Sequence, residues 1–238
     1  MTTDPLLLTG ELADATARLL RTAETLDAQA VGAPSLLPGW TRGHVLTHLA
    51  RNADGFVNLL TSARTGERIP QYASSAARDA DIAAGSARPP AAQLDDLRRS
   101  AERFTEAVAA MPVEAWSATV ETHRGPWPAA MLVWGRLREV EVHHVDLAVG
   151  YRPADWPPAF AQHLLHEVVS NLTGRADTPA MVLRFDGTRH ALVIGEPEGA
   201  PVVTGPPAEL AAWLIGRSRG DTLAVTPDGP LPTPPEWI

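Results

Sequence analysis

Cysteine is absent from all 238 residues. Disulfides, protein thiolate nucleophiles and cysteine-ligated metal sites are therefore excluded, and any thiol chemistry needs a thiol from outside the chain. Lysine is absent too, so all 20 basic residues are arginines. This removes Schiff-base catalysis and the phosphate-binding lysine of the Walker motif. No apolar run approaches the ~20 residues that cross a bilayer. The opening Met1-Thr2-Thr3-Asp4-Pro5 has no basic stretch of the kind that begins a secretory signal. The expected location is cytoplasmic, with no membrane partner. A basic stripe is also missing. The formal net charge is −8, and Arg98, Arg99 and Arg103 form only a short run on a surface helix, which argues against a nucleic-acid partner.

What is present reads as two parts. Apolar residues make up 45% of the chain, enough for a real core. In the first part, Leu12, Ala15, Leu19, Ala23 and Leu26 recur at helical spacing and predict a helix over 8–28. Gly32 to Gly39 reads as a loop. A second helix is expected from about Thr41, a suitable N-cap, to Thr65. A long connection follows, whose middle (74–84) suits a short helix. The third long helix follows Pro89-Pro90 and runs to about Met111. A fourth is expected to open at Pro126-Trp127-Pro128 and to run to Val149, stopped by Gly150.

Beyond Tyr151-Arg152-Pro153 the pattern changes. A helix is expected over 157–173 and another over 207–217. Short strand-like runs lie at 180–185, 190–194, 201–204 and 223–225, with Asp186-Gly187 as a hairpin turn. The tail from Pro227 holds five prolines and reads as extended. The expected fold class is α+β: a four-helix bundle over 1–152, then a small α+β domain over 153–238.

The helices expected second and fourth carry the clearest chemistry. His44 and His48 lie four residues apart, on one helix face and about 6 Å apart along the axis. Glu139 and His143 repeat that spacing, beside Glu141, His144 and Asp146. If the two helices face each other, an imidazole from one and a carboxylate–imidazole pair from the other form a three-ligand set with an open position. Zinc suits such a set, as do ferrous iron and other divalent ions. Spacing does not choose between His44 and His48, or between His143 and His144. Isolated i,i+4 pairs of this kind are common as ordinary surface or core polar residues. Trp40 and Trp134 are candidates to wall the pocket. Arg78 and Asp81, in the connection, are candidates for its mouth, although a solvated loop explains both.

The run Leu36-Leu37-Pro38-Gly39-Trp40-Thr41-Arg42-Gly43-His44-Val45-Leu46-Thr47-His48 resembles the second-helix signature of DinB-like metal-binding bundles. More narrowly, it is similar to that of the mycothiol-dependent maleylpyruvate isomerases. Arg138-Glu139-Val140-Glu141-Val142-His143-His144-Val145-Asp146 resembles their fourth-helix motif, and Gly216-Arg217 their penultimate helix end. The likeness extends over nearly the whole chain. It implies that His48, Glu139 and His143 bind zinc. It also implies that Arg217, whose local explanation is a helix C-terminal cation, reaches the active cleft and holds a substrate carboxylate, with Arg219 as the alternative. The implied reaction is isomerisation of maleylpyruvate to fumarylpyruvate with mycothiol as thiol cosubstrate. A zinc-dependent thiol S-transferase would use the same ligands. Glutathione, bacillithiol or ergothioneine could replace mycothiol. A non-enzymatic metal- or ligand-binding module is a third reading. The oligomeric state is not legible.

Overall fold

The structure is a computed structural model that describes residues 4–237. The chain divides after Gly150 into two compact units.

The first unit is a helical bundle with four long helices: α1 (Pro5–Glu24), α3 (Arg42–Thr65), α5 (Pro90–Ala109) and α6 (Leu132–Asp146). Helix α3 packs on α5 and α6, and α1 packs on the same two. Leu19, Leu49, Leu59, Leu97, Leu132 and Leu137 are fully buried between them. A short helix α4 (Ser75–Ser86) docks against α3. Its N-cap is Ser74, whose hydroxyl accepts from the Ala77 amide.

Three boundaries of this unit differ from those expected, and in the second unit the helix expected over 207–217 ends at Leu214. The apolar stripe at 8–28 is not one helix. Asp27 accepts from the Ala30 amide and caps a separate short helix, α2 (Ala28–Gly32), so the chain breaks after Glu24. Helix α6 stops at Asp146 rather than Val149, because Ala148 adopts a left-handed conformation (φ 55°). Pro126-Trp127-Pro128 does not open a helix. It belongs to strand β2 (Gly125–Pro128), paired antiparallel with β1 (Thr119–Thr122). Both prolines are tolerated because this two-stranded ribbon has free edges. The ring of Trp127 covers Gly135 on α6, where a Cβ would lie within about 2.5 Å of the indole.

The second unit holds α7 (Pro158–Leu172), a four-stranded sheet and α8 (Pro207–Leu214). The strands are β3 (Met181–Phe185), β4 (Ala191–Ile194), β5 (Val202–Gly205) and β6 (Ala224–Thr226), in the order β4-β3-β5-β6. The central pair β3–β5 is parallel and both outer pairs are antiparallel. All four strands fall on the runs expected from sequence. Gly187 (φ 67°) makes the predicted turn between β3 and β4. Among the described residues, no helix is long and apolar enough to cross a membrane.

Two glycines set how closely α4 approaches α3. A Cβ on Gly43 would collide with the Ser86 carbonyl oxygen and approach the Gln93 amide at 2.8 Å. One on Gly85 would collide with the Thr47 methyl. Both contacts involve backbone or a stiff β-branched side chain, so neither yields easily. Gly43→Ala is expected to cost about 1–3 kcal/mol. Thermal denaturation would show this as a melting-point drop on the order of 3–10 °C. An unchanged melting point would mean that α4 is free to shift.

Candidate metal centre

The N-terminus of α3 explains which histidine enters the bundle. Thr41 caps the helix by accepting from the His44 amide, and the His44 ring reciprocates by accepting from the Thr41 amide (3.2 Å). His44 also stacks on Trp40, with centroids 5.9 Å apart. The capping box thus occupies His44 at the helix end. His48, one turn further on, is buried and points across the core to α6.

On α6 the neighbouring histidines part in the same way. His144 turns to α1, where its Nε2 is 2.8 Å from the Thr22 hydroxyl. Glu141 turns the same way and receives a 2.5 Å hydrogen bond from Arg18. Glu139 and His143 face His48. The His48 Nε2 lies 3.0 Å from Glu139 Oε2 and 3.1 Å from His143 Nε2, and those two atoms are 3.4 Å apart. Among the described residues this is the group of His, Asp and Glu side chains able to share an ion. Trp40 stands beside it, 5.7 Å from the His48 ring. Trp134 is instead a fully buried core residue.

The donor set suits a divalent ion. Ligand atoms about 2.0–2.1 Å from a tetrahedral zinc lie about 3.3 Å from one another, and the three separations here are close to that value. Asp146, buried and not anticipated as a partner, accepts from His143 Nδ1 at 2.8 Å. It fixes the tautomer that presents Nε2 inward, the usual outer-shell arrangement of a metal-ligating histidine. Its i,i+3 spacing from His143 was visible in the sequence, but nothing there marked it as orienting.

Electrostatics tell the same story in proton terms. Burial, with the nearby positive charge of His143 added, pushes His48 down to about 4. Burial opposes ionisation of Glu139, but hydrogen bonds from His143 and His48 outweigh it and hold the carboxylate well below its usual range. Burial also disfavours charge on His143, yet its hydrogen bonds to Asp146 and Glu139 raise it to about 9. At neutral pH His143 is therefore the charged imidazolium, while His48 is neutral and Glu139 ionised.

The rim is rich in arginine. Arg78 of α4 places Nη2 3.2 Å from His48 Nδ1 and lies over the Tyr72 ring. Arg124, in the β1–β2 turn, is 3.2 Å from His123 and shares in the electrostatics of Glu139 and Arg78. The sequence offered no signal for His123 or Arg124, because a hairpin brings them in. Asp81 is exposed, and no contact connects it with this group.

Arg217 belongs to the second unit. It follows the end of α8, where Gly216 is left-handed (φ 73°), and its amide donates to the Ala212 carbonyl. Its Nη1 donates to the Ile215 carbonyl at 2.9 Å. It lines a groove of about 630 Å³ between the α8 end and the proline-rich tail. Arg219 is exposed.

Comparison with known proteins accords with this geometry. Residues 12–148 match the model of the mycothiol maleylpyruvate isomerase N-terminal domain, and residues 155–236 match the MDMPI C-terminal domain. No curated protein matches the chain. Two solved structures do. A mycothiol-dependent maleylpyruvate isomerase is 31% identical over 100% of this chain and 98% of its own, with a TM-score of 0.90. A histidine-to-alanine mutant of a mycothiol-dependent maleylpyruvate isomerase is 30% identical over the same shares, also with a TM-score of 0.90. With both family models matched in order along one chain, the protein belongs to the mycothiol-dependent maleylpyruvate isomerase family of enzymes.

Proposed function

We propose that this enzyme isomerises maleylpyruvate to fumarylpyruvate with mycothiol as cosubstrate, at a zinc ion held by His48, Glu139 and His143. The observation that carries the reading is the convergence of those three donors inside a bundle of this family. Bound there, the ion would act as a Lewis acid that lowers the pKa of a coordinated thiol and keeps the fourth ligand position for it. Addition of the thiol sulfur to the activated double bond leaves a single bond that rotates. Expulsion of the sulfur restores the double bond in the trans form.

The chain's residues divide the remaining work. Asp146 holds His143 with Nε2 inward. Glu139 supplies the negative charge that offsets an ion in a buried site. Arg78 must turn aside when His48 binds through Nε2, because the imidazole proton then sits on Nδ1 and faces a guanidinium that only donates. That turn leaves Arg78 beside the centre as a cation for an anionic substrate. Arg217 is the second carboxylate anchor in this reading, a role that rests on the family likeness alone. Charge that builds on the enolate during addition would be stabilised by such a guanidinium.

Turnover is the direct test. Purified enzyme loaded with zinc is expected to isomerise maleylpyruvate only when mycothiol is added, and His48→Ala to lose both zinc and activity. Thiol-independent turnover would overturn the mechanism, and build-up of a stable thiol adduct would mark an S-transferase instead. For Arg217→Lys, the loss of a bidentate charge-assisted contact of about 1.5–3 kcal/mol predicts KM rising on the order of 10–100-fold, with zinc content unchanged. An unaltered KM would remove Arg217 from substrate binding. The proton on His143 generates a further expectation. Zinc must displace it, so affinity is expected to climb about tenfold per pH unit between the His48 value near 4 and the His143 value near 9, then level off. Competition with a chelator across pH 6–8 measures the slope, and a flat profile would contradict the proton assignment.

A further inference from the structure

A second site lies away from the metal ligands. Helices α1 and α5 diverge enough to leave a groove of about 590 Å³, a size typical of small-ligand sites. Its walls are largely apolar, from Leu12, Ala17 and Leu20 on α1 and Phe104 and Val108 on α5. Arg136 of α6 reaches it from the core.

Arg136 is the unusual member. It is 2% exposed, yet it has no carboxylate partner among the described residues. Its two hydrogen bonds both come from Nη1, to the Leu49 carbonyl (2.9 Å) and Asn52 Oδ1 (2.8 Å), both neutral acceptors. Burial pushes its pKa down to about 10, so it remains charged at neutral pH. Glu139, one turn along α6, offers the largest compensating charge from a distance. A buried cation without a paired anion carries a large desolvation cost. An ion held by Glu139 would remove part of that compensation.

We propose that the α1–α5 groove binds an apolar monocarboxylate, its head group on Arg136 and its hydrocarbon body between the two helices. The guanidinium offers Nε and Nη2 to a carboxylate in the two-pronged geometry that arginine favours. Glu102 and Glu106 stand along the groove and repel a second negative charge, and the other lining cation, Arg98, is already paired with Glu24. This selects a ligand with one acid group and an apolar remainder, unlike the dianionic substrate of the metal centre.

Calorimetric titration of the zinc-loaded full chain with decanoate tests this, with decanamide as the uncharged control of equal length. The expected result is saturable binding at one decanoate per chain, with decanamide at least tenfold weaker. Ala13→Trp, at an exposed groove position, and Ala17→Phe should each weaken decanoate at least tenfold while leaving zinc content and maleylpyruvate turnover unchanged. Arg136→Met should remove the preference for the acid over the amide. If that variant does not fold, the groove-filling pair decides alone. No saturable binding, equal affinity for acid and amide, or full affinity in the groove-filled variants would each overturn the proposal. None of these outcomes depends on whether maleylpyruvate is the substrate.

Discussion

The register between α3 and α6 is the constraint on which the candidate metal centre rests, and a single arginine pins it. Arg42, the first residue of α3, donates from Nε to the Leu147 carbonyl at 2.6 Å and from Nη2 to the Ala148 carbonyl. The Leu36 amide adds a bond to the Asp146 carbonyl. These are the carbonyls that α6 leaves without helical partners where it ends. A cation there also opposes the negative end of the helix dipole. With the start of α3 tied to the end of α6, His48 lies opposite Glu139 and His143. A slip of one residue on either helix would rotate its side chains of this group about 100° out of the core.

Helix α6 then sorts its polar residues by direction. Glu139 and His143 face α3, and Glu141 and His144 face α1. Arg136 donates to acceptors on α3 and borders the α1–α5 groove. Each buried charge on the helix finds a different solution. Glu141 pairs with Arg18, Asp146 accepts from His143, and Glu139 shares the hydrogen bonds of two imidazoles. Arg136 alone among them relies on neutral acceptors, which is why the groove at its side has chemical meaning.

Legibility followed the range of the interactions. The α+β class, the four long helices and the four strands of the second unit rest on local periodicity and were readable as such. The boundaries that failed depend on contacts no periodicity encodes. Asp27 breaks the first helix because its carboxylate bonds an amide three residues on, a cap hidden inside an apolar stripe. The β1–β2 ribbon exists because Trp127 has a glycine-floored seat on α6. It was invisible at a site rich in proline, and it carries His123 and Arg124 to the rim.

By itself the sequence determined which residue types and spacings were available: two histidines one turn apart, a Glu–His pair at the same spacing, and no cysteine or lysine to compete with them. Its likeness to a known family singled out His48, Glu139 and His143. Spacing could not explain that choice, since His44 shares a face with His48, and His143 adjoins His144. The reason lies in tertiary structure. Thr41 engages His44 in a cap, Thr22 of α1 takes His144, and Asp146 turns His143 inward, so His44 and His144 already have partners elsewhere. A sequence lists donors; only packing settles which of them still has a lone pair facing the same point in space.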